Sequence, residues 1–175
     1  DQKGLDLIQY GMERIVDDNT QLVVIGTGEQ RYEDMFRYYA YRYPNKVSAN
    51  ILYSDDLAHK LYAAADAFLM PSLFEPCGLT QIIAFRYGTV PIVRETGGLK
   101  DTVEPLNEFE DTGDGFSFTN YNGDDMVNVI NYSKYIFFEQ KKVWDNMVKR
   151  GMKKDLSWGV SKKRYEELYN TLIGR

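Results

Sequence analysis

Ala67-Phe68-Leu69-Met70-Pro71-Ser72-Leu73-Phe74-Glu75-Pro76-Cys77-Gly78-Leu79-Thr80-Gln81, carried on by a helical pattern to about 87 and by Thr89-Val90-Pro91-Ile92-Val93, reads as strand, loop, helix, strand. The runs 67–70 and 89–93 are short and apolar, as strands covered on both faces are. A strand, a helix and a strand in that order make a βαβ unit, whose strands run parallel. The same alternation extends in both directions. Upstream, 21–25 is a β-branched apolar run closed by Gly26-Thr27-Gly28, and a helix follows over about 29–43 with Pro44 as its stop. A strand over 47–53 leads to a helix that Ser54 or Asp55 can cap. Downstream, Gly97-Gly98 opens a short helical turn and 115–118 is a fifth strand. From 124 only helical patterns remain, over about 124–138, 141–153 and 160–172. At the front, Leu5, Ile8, Met12, Ile15 and Val16 make one helical stripe over 5–17, broken by Asp17-Asp18-Asn19.

The expectation is therefore an α/β fold, a Rossmann-like doubly wound parallel sheet with helices on both faces and a helical C-terminal segment. No repeat, low-complexity tract or linker divides 1–175, which reads as a single domain. The leading strand of such a sheet, usually central, has no counterpart before the first helix. With Asp1-Gln2-Lys3-Gly4 at its start and no initiator methionine, the chain reads as a piece of something longer.

Composition narrows the function classes without choosing one. The chain has 175 residues, 43% hydrophobic and 27% charged, within the range of globular domains. A net charge of -5 argues against a nucleic-acid or anionic-membrane surface. One cysteine forbids an internal disulfide, and no apolar run reaches the roughly 20 residues of a bilayer span. A cytoplasmic setting is expected. The single histidine, His59, excludes a multi-histidine metal site and falls on an expected surface position; a solvated residue is the plain reading. Cys77 has no CxxC partner. Gly26-Thr27-Gly28 after a strand suggests a dinucleotide fingerprint, but position 31 is Arg where the third glycine belongs, and no acidic residue ends the next strand.

The loop past 70 carries the chemistry. Ligands of open parallel sheets bind at the carboxyl ends of the strands. Gly78 permits close backbone approach, and the N–H groups of Gly78, Leu79 and Thr80 are expected to form a first helical turn that favours phosphate. Glu75 is an acceptor suited to sugar hydroxyls. The alternative is that Glu75-Pro76 only starts a helix, the acid interacting with its dipole.

Phe74-Glu75-Pro76-Cys77-Gly78-Leu79-Thr80-Gln81 resembles the signature of the glycogen and starch synthases that use ADP-glucose. Tyr87-Gly88-Thr89-Val90-Pro91-Ile92-Val93-Arg94, Thr96-Gly97-Gly98-Leu99 and Asp101-Thr102-Val103 continue the likeness. Gln2-Lys3-Gly4-Leu5-Asp6-Leu7 resembles the end of that family's Ser-Arg-Leu-x-x-Gln-Lys-Gly stretch. Asp155-Leu156-Ser157-Trp158 and Tyr165-Glu166-Glu167-Leu168-Tyr169 resemble its last helix. The family has the GT-B fold, two Rossmann-like domains with the active site in the cleft between them. The resemblance implies that this chain is the donor-binding C-terminal domain, with the acceptor domain and the leading strand upstream.

By the same resemblance, Lys3 lies against the donor diphosphate and Tyr53, at the end of the second strand, packs on the adenine. Glu75 binds glucose hydroxyls beside the N–H groups of Cys77 and Gly78, while Leu79 and Thr80 meet the phosphates. Gly97 and Gly98 form a second close-approach turn, although a plain helix start explains them nearly as well. The implied catalytic pair is Glu75 and Lys3, with no cofactor and no metal. The partners are ADP-glucose and an α-1,4-glucan, with neither nucleic acid nor membrane. Two departures stand out. Related retaining transferases carry a second Glu eight positions after the first, where this chain has Ile83, and the family's arginine before Lys3 falls upstream of residue 1. Another GT-B retaining transferase and a non-catalytic nucleotide- or glucan-binding module are the rival readings.

Overall fold

The computed structural model of the chain describes residues 2–17 and 19–174; Asp1, and Asp18 of the expected helix break, lie outside them. Thirteen elements follow in chain order: α1 (Leu5–Ile15), β1 (Leu22–Ile25), α2 (Gln30–Arg42), β2 (Val47–Asn50), α3 (Asp55–Ala64), β3 (Ala67–Met70), α4 (Thr80–Tyr87), β4 (Val90–Arg94), α5 (Gly97–Thr102), β5 (Phe116–Phe118), α6 (Gly123–Glu139), α7 (Lys141–Lys153) and α8 (Trp158–Leu172). Every strand pairing is parallel. Leu22 to Ile25 run beside Val47 to Asn50, Ala67 to Met70 beside Val90 to Val93, and Ile92 to Arg94 beside Phe116 to Phe118. Within each ladder the carboxyl ends of the strands thus point one way, toward the loops that follow 25 and 50 in the first and 70, 94 and 118 in the second.

The sheet differs from a continuous one in a single respect: its ladders are β1–β2 and β3–β4–β5, with no ladder among the described residues joining β1 to β3. The two still share a core. Leu22 and Val24 of β1 and Ala67 and Leu69 of β3 pack against the same cluster, built on Met12 and Ile15 of α1, Met126 and Ile130 of α6, and Trp144 and Met147 of α7. Alternation along β4 reports the second layer. Val90 and Ile92 face that cluster, whereas Val93 joins Met70, Phe85, Leu99 and Val103 in a smaller one beneath α4 and α5. Helices therefore cover both faces of β4, as a short apolar strand requires.

Local chemistry fixes the helix ends. The Ser54 hydroxyl accepts from the Leu57 N–H (3.2 Å), and the Asn122 side-chain oxygen accepts from the N–H groups of Asp124 and Asp125 (2.8 and 3.1 Å). Gly88 ends α4 in the left-handed region (φ 78°), where the following Thr89 N–H reaches back to the Ala84 carbonyl. The C-terminal helical expectation holds in type but not in packing. None of the described residues of α8 is buried, and Tyr165, Leu168, Tyr169 and Leu172 leave an apolar stripe in the open. Among the described residues, no helix is long and apolar enough to cross a membrane.

Candidate functional site

Three segments meet at the carboxyl ends of β3 and β4: residues 2–4, the loop 71–79, and the start of α5. The first two are stitched together by backbone and side chain. The Leu73 N–H donates to the Gln2 carbonyl (2.9 Å), the Gln2 side-chain amide to the Phe74 carbonyl (3.2 Å), and Lys3 Nζ to Glu75 Oε2 (2.5 Å). Gly4 closes the seam. It takes a left-handed φ of 72°, and a Cβ there would lie 2.1 Å from the Pro71 carbonyl oxygen. The Lys3-Gly4 pair is thus structural as well as chemical: glycine lets residue 3 arrive at the loop, and lysine meets its acid.

Glu75 is buried, its side chain 10% exposed, while that of Lys3 is 61% exposed. The carboxylate is therefore held in a sheltered place with one oxygen on an ammonium that can still turn two of its N–H bonds outward. The sequence placed both groups at one site, and the geometry brings them into direct contact.

The turn after Glu75 is shaped by α5. The Gly98 N–H donates to the carbonyls of Glu75 and Pro76, both at 3.1 Å. A Cβ on Gly97 would meet the Glu75 oxygen at 2.2 Å, and one on Gly98 the Cys77 oxygen at 2.1 Å. The close approach made by these two glycines is to the loop itself. Arg94, at the end of β4, holds the other limb by donating to the carbonyls of Ser72 and Leu73 (3.3 and 2.8 Å). The guanidinium also sits over the Tyr121 ring, whose hydroxyl donates to Asp6 Oδ1 (2.5 Å); burial and that bond push the Tyr121 hydroxyl up.

Two expectations, one of them about this turn, are corrected. Helix α4 begins at Thr80, not Gly78, because Gly78 is left-handed (φ 70°) and Leu79 is the N-cap. A left-handed residue followed by a right-handed one is a backbone form in which successive N–H groups can converge on an anion. Among the described residues, the N–H groups of Cys77, Gly78, Leu79 and Thr80 have no acceptor. Tyr53 also sits elsewhere. The strand stops at Asn50, the chain bends as the Leu52 N–H turns back to the Asn50 carbonyl, and Tyr53 falls three residues beyond β2. The residue is 82% exposed, with the hydroxyl donating to Asp55 Oδ1 (3.0 Å), a bond that raises its pKa.

Other candidates resolve plainly. His59 is exposed and within 3.0 Å of the Tyr87 hydroxyl. The Gly28 N–H is taken by Glu33 Oε1 (3.0 Å), so the Gly26-Thr27-Gly28 turn does not hold that donor ready for a phosphate. Cys77 is exposed, Thr80 turns its hydroxyl to Met70 Sδ (3.1 Å), and Ile83 lies on α4. Among the described residues, no three His, Cys, Asp or Glu side chains are grouped to hold a metal ion. Sequence reasoning missed Arg94 and Gln81 as supports. Gln81 is fully buried and donates to the carbonyls of Cys77 (3.1 Å) and Gly78 (2.8 Å). The available signal was a polar residue on the buried side of Thr80-Gln81-Ile82-Ile83-Ala84-Phe85. Together the site presents an ammonium, a sheltered carboxylate and a row of free N–H donors, a set suited to an anionic group next to hydroxyls.

Known proteins of similar sequence and structure identify the family. The family model for glycosyl transferases group 1 matches residues 1–143. The chain is 61% identical over 172 residues to the glycogen synthase of Lachnospira eligens and 54% identical to that of Clostridium acetobutylicum; each match covers 98% of this chain and 36% of the relative. Among solved structures, the catalytic domain of starch synthase IV from Arabidopsis thaliana, bound to ADP and acarbose, is similar with a TM-score of 0.85 at 33% identity. That match covers 99% of this chain and 36% of the other. The chain thus spans about a third of the length of the relatives it matches, with the α/β architecture of one half of a GT-B fold. It belongs to the glycosyl transferases group 1 family.

Proposed function

We propose that this chain is the donor-binding half of a glycogen or starch synthase that takes glucose from ADP-glucose and adds it, with retention, to the 4-hydroxyl end of an α-1,4-glucan. The observation that carries the reading is the contact of Lys3 with Glu75 beside the acceptor-free N–H groups of Cys77, Gly78, Leu79 and Thr80. Relatives named glycogen synthase and a starch synthase bound to ADP support it. As the bond from sugar to phosphate breaks, negative charge grows on the departing diphosphate and positive charge on the sugar. Lys3 and the N–H row are set to stabilise the first, in place of a metal, and Glu75 the second. Glu75 acts by position and charge in this scheme, with the incoming hydroxyl arriving on the face the phosphate leaves. The interrupted sheet fits a further strand from the same protein between β1 and β3, the central place of a leading strand in the doubly wound order. A cytoplasmic enzyme is part of the same reading.

The decisive measurement is incorporation of labelled glucose from ADP-glucose into glycogen, by the full-length parent and by the 175-residue chain at high concentration. The parent is expected to incorporate label and the chain none, because closing a cleft supplies orientation and excludes water, worth several kcal/mol of barrier. A silent parent that still binds ADP favours the binding-module reading. A parent active with another acceptor favours a different retaining transferase. Clear incorporation by the chain alone defeats the two-domain scheme.

The nucleotide is a separate matter. Tyr53 offers an exposed flat face to a purine, with its hydroxyl steadied by Asp55. Calorimetric titration of the full-length protein is expected to give tighter binding of ADP than UDP. Tyr53→Ala is expected to weaken ADP about tenfold, the roughly 1 to 1.5 kcal/mol of a base on an aromatic ring. Equal affinities, or an unaffected Tyr53→Ala variant, remove the stacking role.

A further inference from the structure

The backbone of the turn at Cys77 and Gly78 is held from beneath by one side chain. Gln81 has no exposed surface, and its amide nitrogen lies 3.1 Å from the Cys77 carbonyl, 2.8 Å from the Gly78 carbonyl and 3.1 Å from Thr102 Oγ1. Thr102 Oγ1 in turn donates to the Gly98 carbonyl (2.5 Å), and the Gly98 N–H donates to the Glu75 and Pro76 carbonyls. A closed circuit therefore runs from Glu75 through Gly98, Thr102 and Gln81 back to Gly78. Drawing the two carbonyls inward leaves their neighbouring N–H groups to face the other way, where they have no acceptor among the described residues.

A second observation shows the price paid for this orientation. Gln81 Oε1 is buried without a hydrogen-bond partner. Turning the amide over would not help, since it would set the oxygen against two carbonyl oxygens. Unpartnered buried acceptors are uncommon enough to need a reason. The same oxygen lies where a Cβ on Gly78 would come within 2.5 Å, so the glycine and the glutamine are matched. A residue selected only to fill the core would be served as well by an apolar side chain of this volume.

We propose that Gln81 is a positioning residue, which fixes the Cys77–Gly78 turn so that its outward N–H groups grip the donor's diphosphate. The proposal rests on the reading of this site as a nucleotide-sugar site. Gln81 touches no ligand; it acts through the turn. Because the N–H row binds the diphosphate before and during the reaction, loosening the turn shows mainly in the donor's KM.

The test uses the full-length enzyme with Gln81→Met, which keeps the length and removes both donors, and with Thr102→Val, which keeps the shape and removes the hydroxyl that steadies the amide. Gln81→Met is expected to raise the KM for ADP-glucose about tenfold and Thr102→Val about threefold, with the KM for the glucan unchanged. The double variant is expected to fall short of the product of the two, since both act on one turn. Without any substrate, amide exchange in the peptide covering 74–82 is expected to quicken in Gln81→Met while peptides in α1 and α6 stay at the wild-type rate. Unchanged exchange at 74–82 overturns the proposal. So does a lower kcat with both KM values unmoved, the mark of a smaller folded fraction, or exchange that quickens equally everywhere. If Gln81→Met does not fold and Thr102→Val behaves as wild type, Gln81 is a core residue and the proposal falls. A wild-type parent without transfer activity defeats the glucosyltransferase reading, and the exchange measurement then decides the role of Gln81 alone.

Discussion

Glu75→Gln in the full-length enzyme is expected to lower kcat by about two decades, close to 3 kcal/mol of transition-state stabilisation, with ADP affinity held or slightly raised. Glutamine keeps the size and most of the hydrogen bonding, so what the change removes is charge. That charge sits in a sheltered place, with a side chain 10% exposed, where an electrostatic interaction weakens little by screening. The ADP expectation follows from the pair itself. Lys3 Nζ is 2.5 Å from Glu75 Oε2, so the variant releases an ammonium that is 61% exposed and free to turn to the phosphates. Exposure at that level means the freed cation does not become a buried, unpaired charge, and stability should change little. The loop is not expected to shift either, because α5 holds residue 75 by its backbone carbonyl. Steady-state kinetics with ADP-glucose and glycogen, beside an ADP titration, separates the two effects. A kcat near wild type would leave Glu75 as a loop acid that only pairs with Lys3, since α4 starts five residues later at Thr80.

The fold was legible because its strands are short apolar runs with clear stops. The runs at 67–70 and 89–93 became β3 and, but for Thr89, most of β4, and the left-handed Gly88 sits where the pattern between them breaks. Boundaries failed where polar or glycine residues carried the geometry. The pattern Val47-Ser48-Ala49-Asn50-Ile51-Leu52-Tyr53 alternates well enough to look like one strand, but the ladder with β1 ends at Asn50 and the apolar tail bends away. Gly78 looked like a helical residue because the loop's function was read as a helix start. Its φ of 70° puts it in a turn ahead of the helix, and a local pattern does not report the sign of φ.

The site was legible as a set of residues and hidden as a mechanism of support. Lys3, Glu75, Cys77, Gly78, Leu79, Thr80, Gly97 and Gly98 lie in segments that the fold brings together, although 72 residues separate the acid from its lysine. What sequence could not reveal is which groups face a ligand and which face one another. Arg94 looks like the end of a strand until its guanidinium is seen on two loop carbonyls. Gly97 and Gly98 look like ligand-facing glycines until the atoms a Cβ would strike turn out to be loop backbone. Burial and direction are three-dimensional properties, and no spacing rule supplies them.

Gly98→Ala tests that last distinction, and its effect should be large. The added methyl carbon would lie 2.1 Å from the Cys77 carbonyl oxygen and 2.7 Å from both the Cys77 carbonyl carbon and Cα, distances well inside contact. All three atoms are backbone, so no rotamer change can relieve the clash. Either α5 slides along β4 or the loop lifts. The first disturbs Leu99 and Val103, buried in the small cluster beneath α4 and α5. The second breaks the two hydrogen bonds from the Gly98 N–H to Glu75 and Pro76 and moves Glu75 with them. Overpacking in a close-fitted interior costs about 1 to 3 kcal/mol, and a clash against rigid backbone belongs at or above the top of that range. Gly98 has no left-handed φ, so the expected loss is steric, with no backbone strain added to it. In the full-length protein, Gly98→Ala is expected to melt several degrees lower and to lose at least tenfold in ADP affinity and a hundredfold in kcat/KM. A variant that melts, binds and turns over as wild type would show that the loop is not positioned by its contact with α5. Were those two glycines placed for a ligand alone, the melting temperature would stay put while ADP binding fell, so the pair of measurements separates a structural approach from a ligand-facing one.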